Sequence, residues 1–374
     1  MQKDMLIKKI SEQEISSVSD YVNTIALIID AKKQEGVTFL YRGESQIYEE
    51  YCKPNIFRKN ILFTNEFYEM SLLNAMRQNK LSDKSSYLEN AIDAQHGEFP
   101  SRLLDVSYNC LNALYFAVTP YYHKKKTEYD KKDGMVYIFY IEDIYSPSAK
   151  NSNDNFDAII NKDKKWFNNY VIFEKNHKFI DHTKINTRII AQQGAFILFQ
   201  GNDPESIPAY MMNGIVIPKD AKPKLREELS LMFGINTGSI YPETVNLVND
   251  ITHKSKNIRT ENFNCKNEFK YVIKNLKKEL EYYYDYICSI DVEDDSVVFE
   301  TVCHVEKVIN SYRIGLYDFF IDLDILKIND FEGDVDKEKI KSFLGDEFNK
   351  TVKEFENKIS KIKDIPPLSD LTLK

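Results

Sequence analysis

The chain has 374 residues, 43% of them apolar, which is enough for two domains with buried cores. Its formal charge of −8 argues against holding nucleic acid by bulk electrostatics, because phosphate binders carry a basic excess; a local basic cleft stays open. Five cysteines at irregular spacing argue against a disulfide framework or a structural zinc; with no signal-like or membrane-length apolar run, a soluble cytoplasmic protein is expected.

Residues 13–35 predict a helix, with Ile15, Val18, Tyr21, Val22, Ile25, Ile28 and Ile29 at helical spacing and Gly36 as its stop. Val37–Tyr41 predicts a strand. At its end stand Tyr41, Arg42 and Gly43. A guanidinium is a planar fork suited to phosphate or carboxylate, and Gly43 allows a close backbone approach. An ion pair at a strand end would account for Arg42 equally well. Residues 64–80 and 85–95 predict two helices.

Residues 96–107 then predict a loop with dense polar chemistry. Gln95, His96 and Gly97 lead into it, with His96 in a turn, where it can donate a hydrogen bond or shuttle a proton. Arg102 and Asp105 stand three apart, and a pair between them would orient Arg102 toward a ligand, or simply pin the loop. Asn109 predicts the cap of a helix reaching about Tyr121, and residues 135–141 a strand. The Ser, Asn and Asp of 146–157 predict a surface loop. Arg188 through Gln192, Gln193 and Gly194 predict the entry to a strand at 195–199. A strand at 214–217 and a helix at 223–233 follow.

Beyond residue 256 the pattern becomes helical throughout. Phe269, Val272, Ile273, Leu276, Leu280, Tyr283 and Ile287 make one stripe, and Val302, Val305, Ile309, Tyr312, Leu316, Phe319 and Leu323 a second. A third helix covers 336–362. The division expected is an α+β domain over 1–255 and an all-α module over 256–374, whose stripes form a core or, alternatively, a dimerising face. P-loop, dinucleotide-binding glycine, zincin, EF-hand and GxSxG motifs are missing, and the spacing of His177 and His182 is poor for a metal. No metal is expected, and a metal-dependent nuclease lacks its carboxylate cluster.

Together the blocks YRG, AQHG…PSRLLD…ALYFA and RIIAQQGAF resemble the FRG domain family, over roughly residues 20–255, with Tyr241-Pro242-Glu243-Thr244 similar to the family's closing segment. Ser101 stands where the family usually has Thr and keeps the hydroxyl. The resemblance implies a component of bacterial anti-phage defence. A second resemblance, to ADP-ribosyltransferase folds, implies NAD or another nucleotide as ligand and a protein or nucleic-acid target. The site expected is a cleft lined by the three motifs, with Arg42, His96, Arg102, Asp105 and Gln193 as the reactive set. Tyr41, Gly43, Gln95, Ser107, Arg188 and Gln192 would line the ligand. That reading meets a mismatch: Gln192 and Gln193 fall where such enzymes carry a glutamate, and an amide cannot stabilise a cationic transition state as a carboxylate does. The alternative is a non-catalytic sensor that binds a nucleotide or phage component and signals through the helical tail.

Overall fold

Alternation of side chains along strands organises the first part of the chain. The computed structural model describes residues 14–82, 84–96, 99–119, 130–163, 170, 172–173, 176–181, 187–201, 204, 206–255, 265–290, 295–325, 337–362 and 368. The chain forms two compact units, Met1–Ile258 and Arg259–Lys374.

In the first unit the strands are β1 (Thr38–Glu44), β2 (Leu103–Ser107), β3 (Gly134–Ile141), β4 (Ile144–Tyr145), β5 (Lys178–Ile180), β6 (Gly194–Leu198) and β7 (Met212–Ile217). They form one seven-stranded sheet in the order β4-β5-β6-β2-β1-β3-β7. All neighbours are antiparallel except β4 and β5. The register runs from Thr38↔Ile141 to Glu44↔Met135 on one side of β1, and Tyr41 faces Ser107 on the other. The fold is α+β.

The longer helices of the unit are α1 (Val18–Lys32), α2 (Tyr68–Gln78), α3 (Tyr87–His96), α4 (Cys110–Val118), α5 (Lys150–Ile160), α6 (Thr187–Gln192), α7 (Lys222–Phe233) and α8 (Thr244–Ser255), with single helical turns at Asn55–Arg58, Ile61–Thr64 and Thr237–Ile240. One sheet face carries Leu40, Leu104, Val106, Tyr137, Phe139 and Ile197, covered by Tyr51, Cys52, Ile56, Phe57 and Leu62. On the other, Tyr41, Val136, Ile138 and Ile215 meet α1, α4 and α7, while Leu103, Phe196 and Leu198 meet α2, α3 and α5.

Helix α4 explains a signature residue. Asn109 caps it, its Oδ1 accepting from the Leu111 N–H at 2.9 Å. Small residues, Ala113 and Ala117, face the sheet and are fully buried. A Cβ at Gly43 would lie 1.8 Å from the Ala113 carbonyl oxygen, and one at Gly134 2.5 Å from that of Ala117. Both glycines therefore let a helix backbone rest directly on a strand.

Three expectations are corrected here. Residues 146–157 are not a surface loop: most of them belong to α5, which buries Phe156, Ile159 and Ile160. The second half of 96–107 is the central strand β2, not loop. Arg188 to Gln192 form helix α6 before the strand begins.

The second unit contains α9 (Cys265–Ser289), α10 (Asp295–Ile325) and α11 (Lys337–Ile359). The expected stripes meet in one core: Leu276 and Leu280 of α9, Val305, Ile309 and Leu316 of α10, Phe348, Val352 and Phe355 of α11. Among the described residues no helix is long and apolar enough to cross a membrane.

Candidate functional site

The three sequence blocks lie on three adjacent strands, β6, β2 and β1. Adjacency does not bring their side chains to one place. With a period of two residues, Arg42 and Glu44 share the face of Leu40, whereas Tyr41 and Gly43 point toward α4.

Arg42 is held by two partners. Its Nη1 donates to the Asp105 carbonyl at 2.8 Å, and its Nε to Glu44 Oε1 at 3.2 Å. The same Glu44 oxygen accepts from Arg58 Nη2 at 3.0 Å. Arg42 and Arg58 remain 21% and 19% exposed, while Glu44 is at 2%. Arg58 lies over the Tyr48 ring, 4.2 Å from its centroid. Burial would lower the Arg42 pKa, but Glu44, Cys52 and Asp105 outweigh it and hold the guanidinium above its ordinary value. Two atoms of this group, Glu44 Oε2 and Arg58 Nε, are buried with no hydrogen-bond partner among the described residues. Cys52, left-handed at φ 49°, sits beside the group; burial and Glu44 push its thiol well above the ordinary range.

Arg102 and Asp105 do not pair. Arg102 is fully buried, its Nε donating to Glu69 Oε2 at 2.6 Å and its Nη1 to the carbonyls of Phe199 at 3.2 Å and Gly201 at 3.0 Å. It ties α2 to the end of β6. Asp105 lies on the helix-covered face, where Oδ2 accepts from Gln95 Nε2 at 3.0 Å. Its Oδ1 is buried with no hydrogen-bond partner among the described residues. His96 is the last residue of α3 rather than part of a turn, and its side chain lies outside the described residues, as does Gly97.

The third block is stitched to the second. Ser107 Oγ donates to the Gln192 carbonyl at 2.7 Å, and Asn112 Nδ2 to the same oxygen at 2.9 Å. Gln192 Nε2 donates to the Ile240 carbonyl at 3.2 Å. Gln193 is exposed and left-handed at φ 48°, with its carbonyl accepting from the Tyr108 N–H at 2.9 Å. Arg188 pairs with Glu243 at 2.6 Å and lies 5.0 Å from the Tyr241 ring centroid, which joins this block to the Tyr241–Thr244 segment. Tyr41 is buried, and burial followed by Cys110 pushes its hydroxyl up to about 12.

Sequence reasoning missed Glu44, Arg58 and Glu69. Only Glu44 carried a signal, since a residue two along a strand shares Arg42's face. Among the described residues no three His, Cys, Asp or Glu side chains converge as a metal site requires. His177 stacks on Phe199 at 4.1 Å, and His182 lies outside the described residues.

These features define an α+β domain whose aromatic-Arg-Gly strand packs its Gly against a helix and aims its Arg at a mixed charge cluster on the opposite face. Residues 37–126 match the model of the FRG domain. The chain therefore carries an FRG domain, which is consistent with a defence-type domain. The matched span holds the first two blocks and ends before the third. No curated protein and no solved structure matches the chain.

Proposed function

We propose that this FRG domain is the ligand-binding module of an anti-phage defence protein, taking an anionic ligand of the nucleotide class at Arg42 and Arg58. One observation carries the reading: two guanidiniums, both partly exposed, share one oxygen of a buried carboxylate. Their charge exceeds that of Glu44, and their orientation is fixed in advance, which lowers the ordering cost of binding. The Arg58–Tyr48 stack offers a planar surface beside them.

An NAD-consuming, ADP-ribosyltransferase-like effector is the second reading, favoured by Asp105, the acid of the motif blocks, whose Oδ1 has no hydrogen-bond partner among the described residues. Against it, Asp105 and Arg42 project from opposite faces of the sheet. The remaining motif positions serve packing or hold strands together, and the third block supplies amides where the chemistry asks for a carboxylate.

The test is equilibrium dialysis of the full-length protein with NAD, with the NAD recovered and quantified by mass spectrometry. Arg58→Ala and Arg42→Lys serve as variants, checked for folding by circular dichroism. Intact NAD bound by the wild type and lost with Arg58→Ala supports the module. Arg42-dependent loss of NAD would put the effector reading first, and NAD that neither binds nor disappears would overturn both for this ligand.

A further inference from the structure

A second charged locus lies in the helical unit. A groove of about 250 Å³ runs between α9 and α11. Lys270, Lys274 and Lys277 enter it from successive turns of α9, and Lys350 from α11 opposite. Spacing of i, i+4 and i+7 places the three on one helix face. Two acids, Glu347 and Glu354, also line the groove. Of the lysines only Lys277 reaches one of them, with Glu354 at 3.7 Å. Lys270, Lys274 and Lys350 have no hydrogen-bond or ion-pair partner among the described residues. Rim ion pairs that merely hold two helices together would match each lysine to an acid across the seam. Here the cations outnumber the acids in a concave place, on a chain that is acidic overall.

The wall between the lysines is apolar. Ile273 lines it together with Phe343, which is 52% exposed, so its ring is accessible from the groove. Ammonium groups act as point charges toward phosphate, and an exposed ring offers a stacking face. At about 250 Å³ the groove is just under the usual range of enclosed ligand pockets, so it would cradle part of a small molecule and leave the rest in solvent, and it is too small for a duplex or a folded partner.

We propose that this groove binds a mononucleotide, its phosphates held by Lys274 and Lys350 and its base laid on Phe343. The site is separate from the Arg42–Arg58 cluster and stands or falls independently of it.

The experiment is isothermal titration of the full-length protein with ATP as probe at about 0.15 M salt, where weak surface attraction is screened. Adenosine and ribose 5-phosphate are titrated alongside. Saturable ATP binding is expected, weakened at least about tenfold in Lys274→Ala/Lys350→Ala, as losing two charge-assisted contacts implies. Phe343→Ala should weaken ATP but not ribose 5-phosphate. Arg58→Ala removes any ATP bound at the first-unit cluster, so the saturable binding that remains in this variant reports the groove. These lysines are exposed, so circular dichroism of the double variant should match the wild type. Lys274→Arg/Lys350→Arg should retain binding. Absence of saturable ATP binding overturns the proposal, as does unchanged affinity in the double alanine variant or adenosine binding as tightly as ATP. ATP binding lost only with Arg58→Ala would also overturn it, while supporting the site in the first unit.

Discussion

Gly43→Ala tests whether the signature glycine faces a ligand or a helix. The added methyl would stand 1.8 Å from the Ala113 carbonyl oxygen and 2.7 Å from the Ala117 nitrogen, both backbone atoms that no rotamer change can move aside. An ordinary carbon–oxygen contact is about 3.3 Å, so α4 would have to retreat by roughly 1.5 Å. Leu114, Ala117 and Val118 are fully buried in that seam. A radial gap of only about 0.5–1 Å already forfeits a quarter to a half of each dispersion contact. Overpacking alone costs about 1–3 kcal/mol, and with the lost contacts the total should reach about 3 kcal/mol or more, a large part of a domain's margin. Urea unfolding followed by far-UV circular dichroism and by the fluorescence of the single tryptophan, Trp166, reads it out. A variant within about 0.5 kcal/mol of wild type, folded but unable to bind its ligand, would refute the helix-seat reasoning.

Arg102→Met should destabilise by about 3–5 kcal/mol, because it leaves Glu69 charged and buried; Arg102→Met/Glu69→Met should recover much of this, and a double variant no better than the single would show the pair is not the cause. Lys222 is fully buried with its ammonium donating to the Ser45 carbonyl at 2.7 Å, and burial, with Arg226 adding to it against Asp130 and Asp133, brings its pKa down to about 8. A folded pKa below the unfolded value of about 10.4 means the unfolded chain binds more protons in between, so stability should rise by about 2 kcal/mol from about pH 7.5 to about 9.5. The rise should vanish in Lys222→Met, and an identical pH slope in the two proteins would count against it.

Much of the fold was legible because it is written locally. β1, β3, β6 and β7 are dense runs of β-branched and aromatic residues, and the long helical stripes of α9 and α10 repeat over many turns. β2 was not, since Leu103–Ser107 is short, follows a proline by three residues and carries an aspartate at its centre. β5 has three residues, too few for a period. In α5 the leading Asn, Ser and Asp side chains read as turn chemistry, and burial of Phe156, Ile159 and Ile160 overrides that local preference. At the site the same division holds. Glu44 could be inferred from strand periodicity, whereas the partnership of Arg102 with Glu69 depends on where α2 comes to rest, which spacing does not encode.

The placement of the signature residues changes how their variants should be read. Side chains that all touched one ligand would project from one face of the sheet. Instead Tyr41 and Gly43 seat α4, Arg102 locks α2, and Ser107 with Gln192 joins β2 to the approach of β6. Substitution at any of these is expected to disturb the scaffold, so a defect there would say little about chemistry. Arg42 and Arg58 differ, since they are partly exposed, charged and fixed by a carboxylate that they share. Arg58→Ala leaves Arg42 paired with Glu44, so of the two truncations it disturbs the strand less. A binding defect there, in a protein that melts like the wild type, separates ligand recognition from folding in a way that no substitution within the YRG signature can.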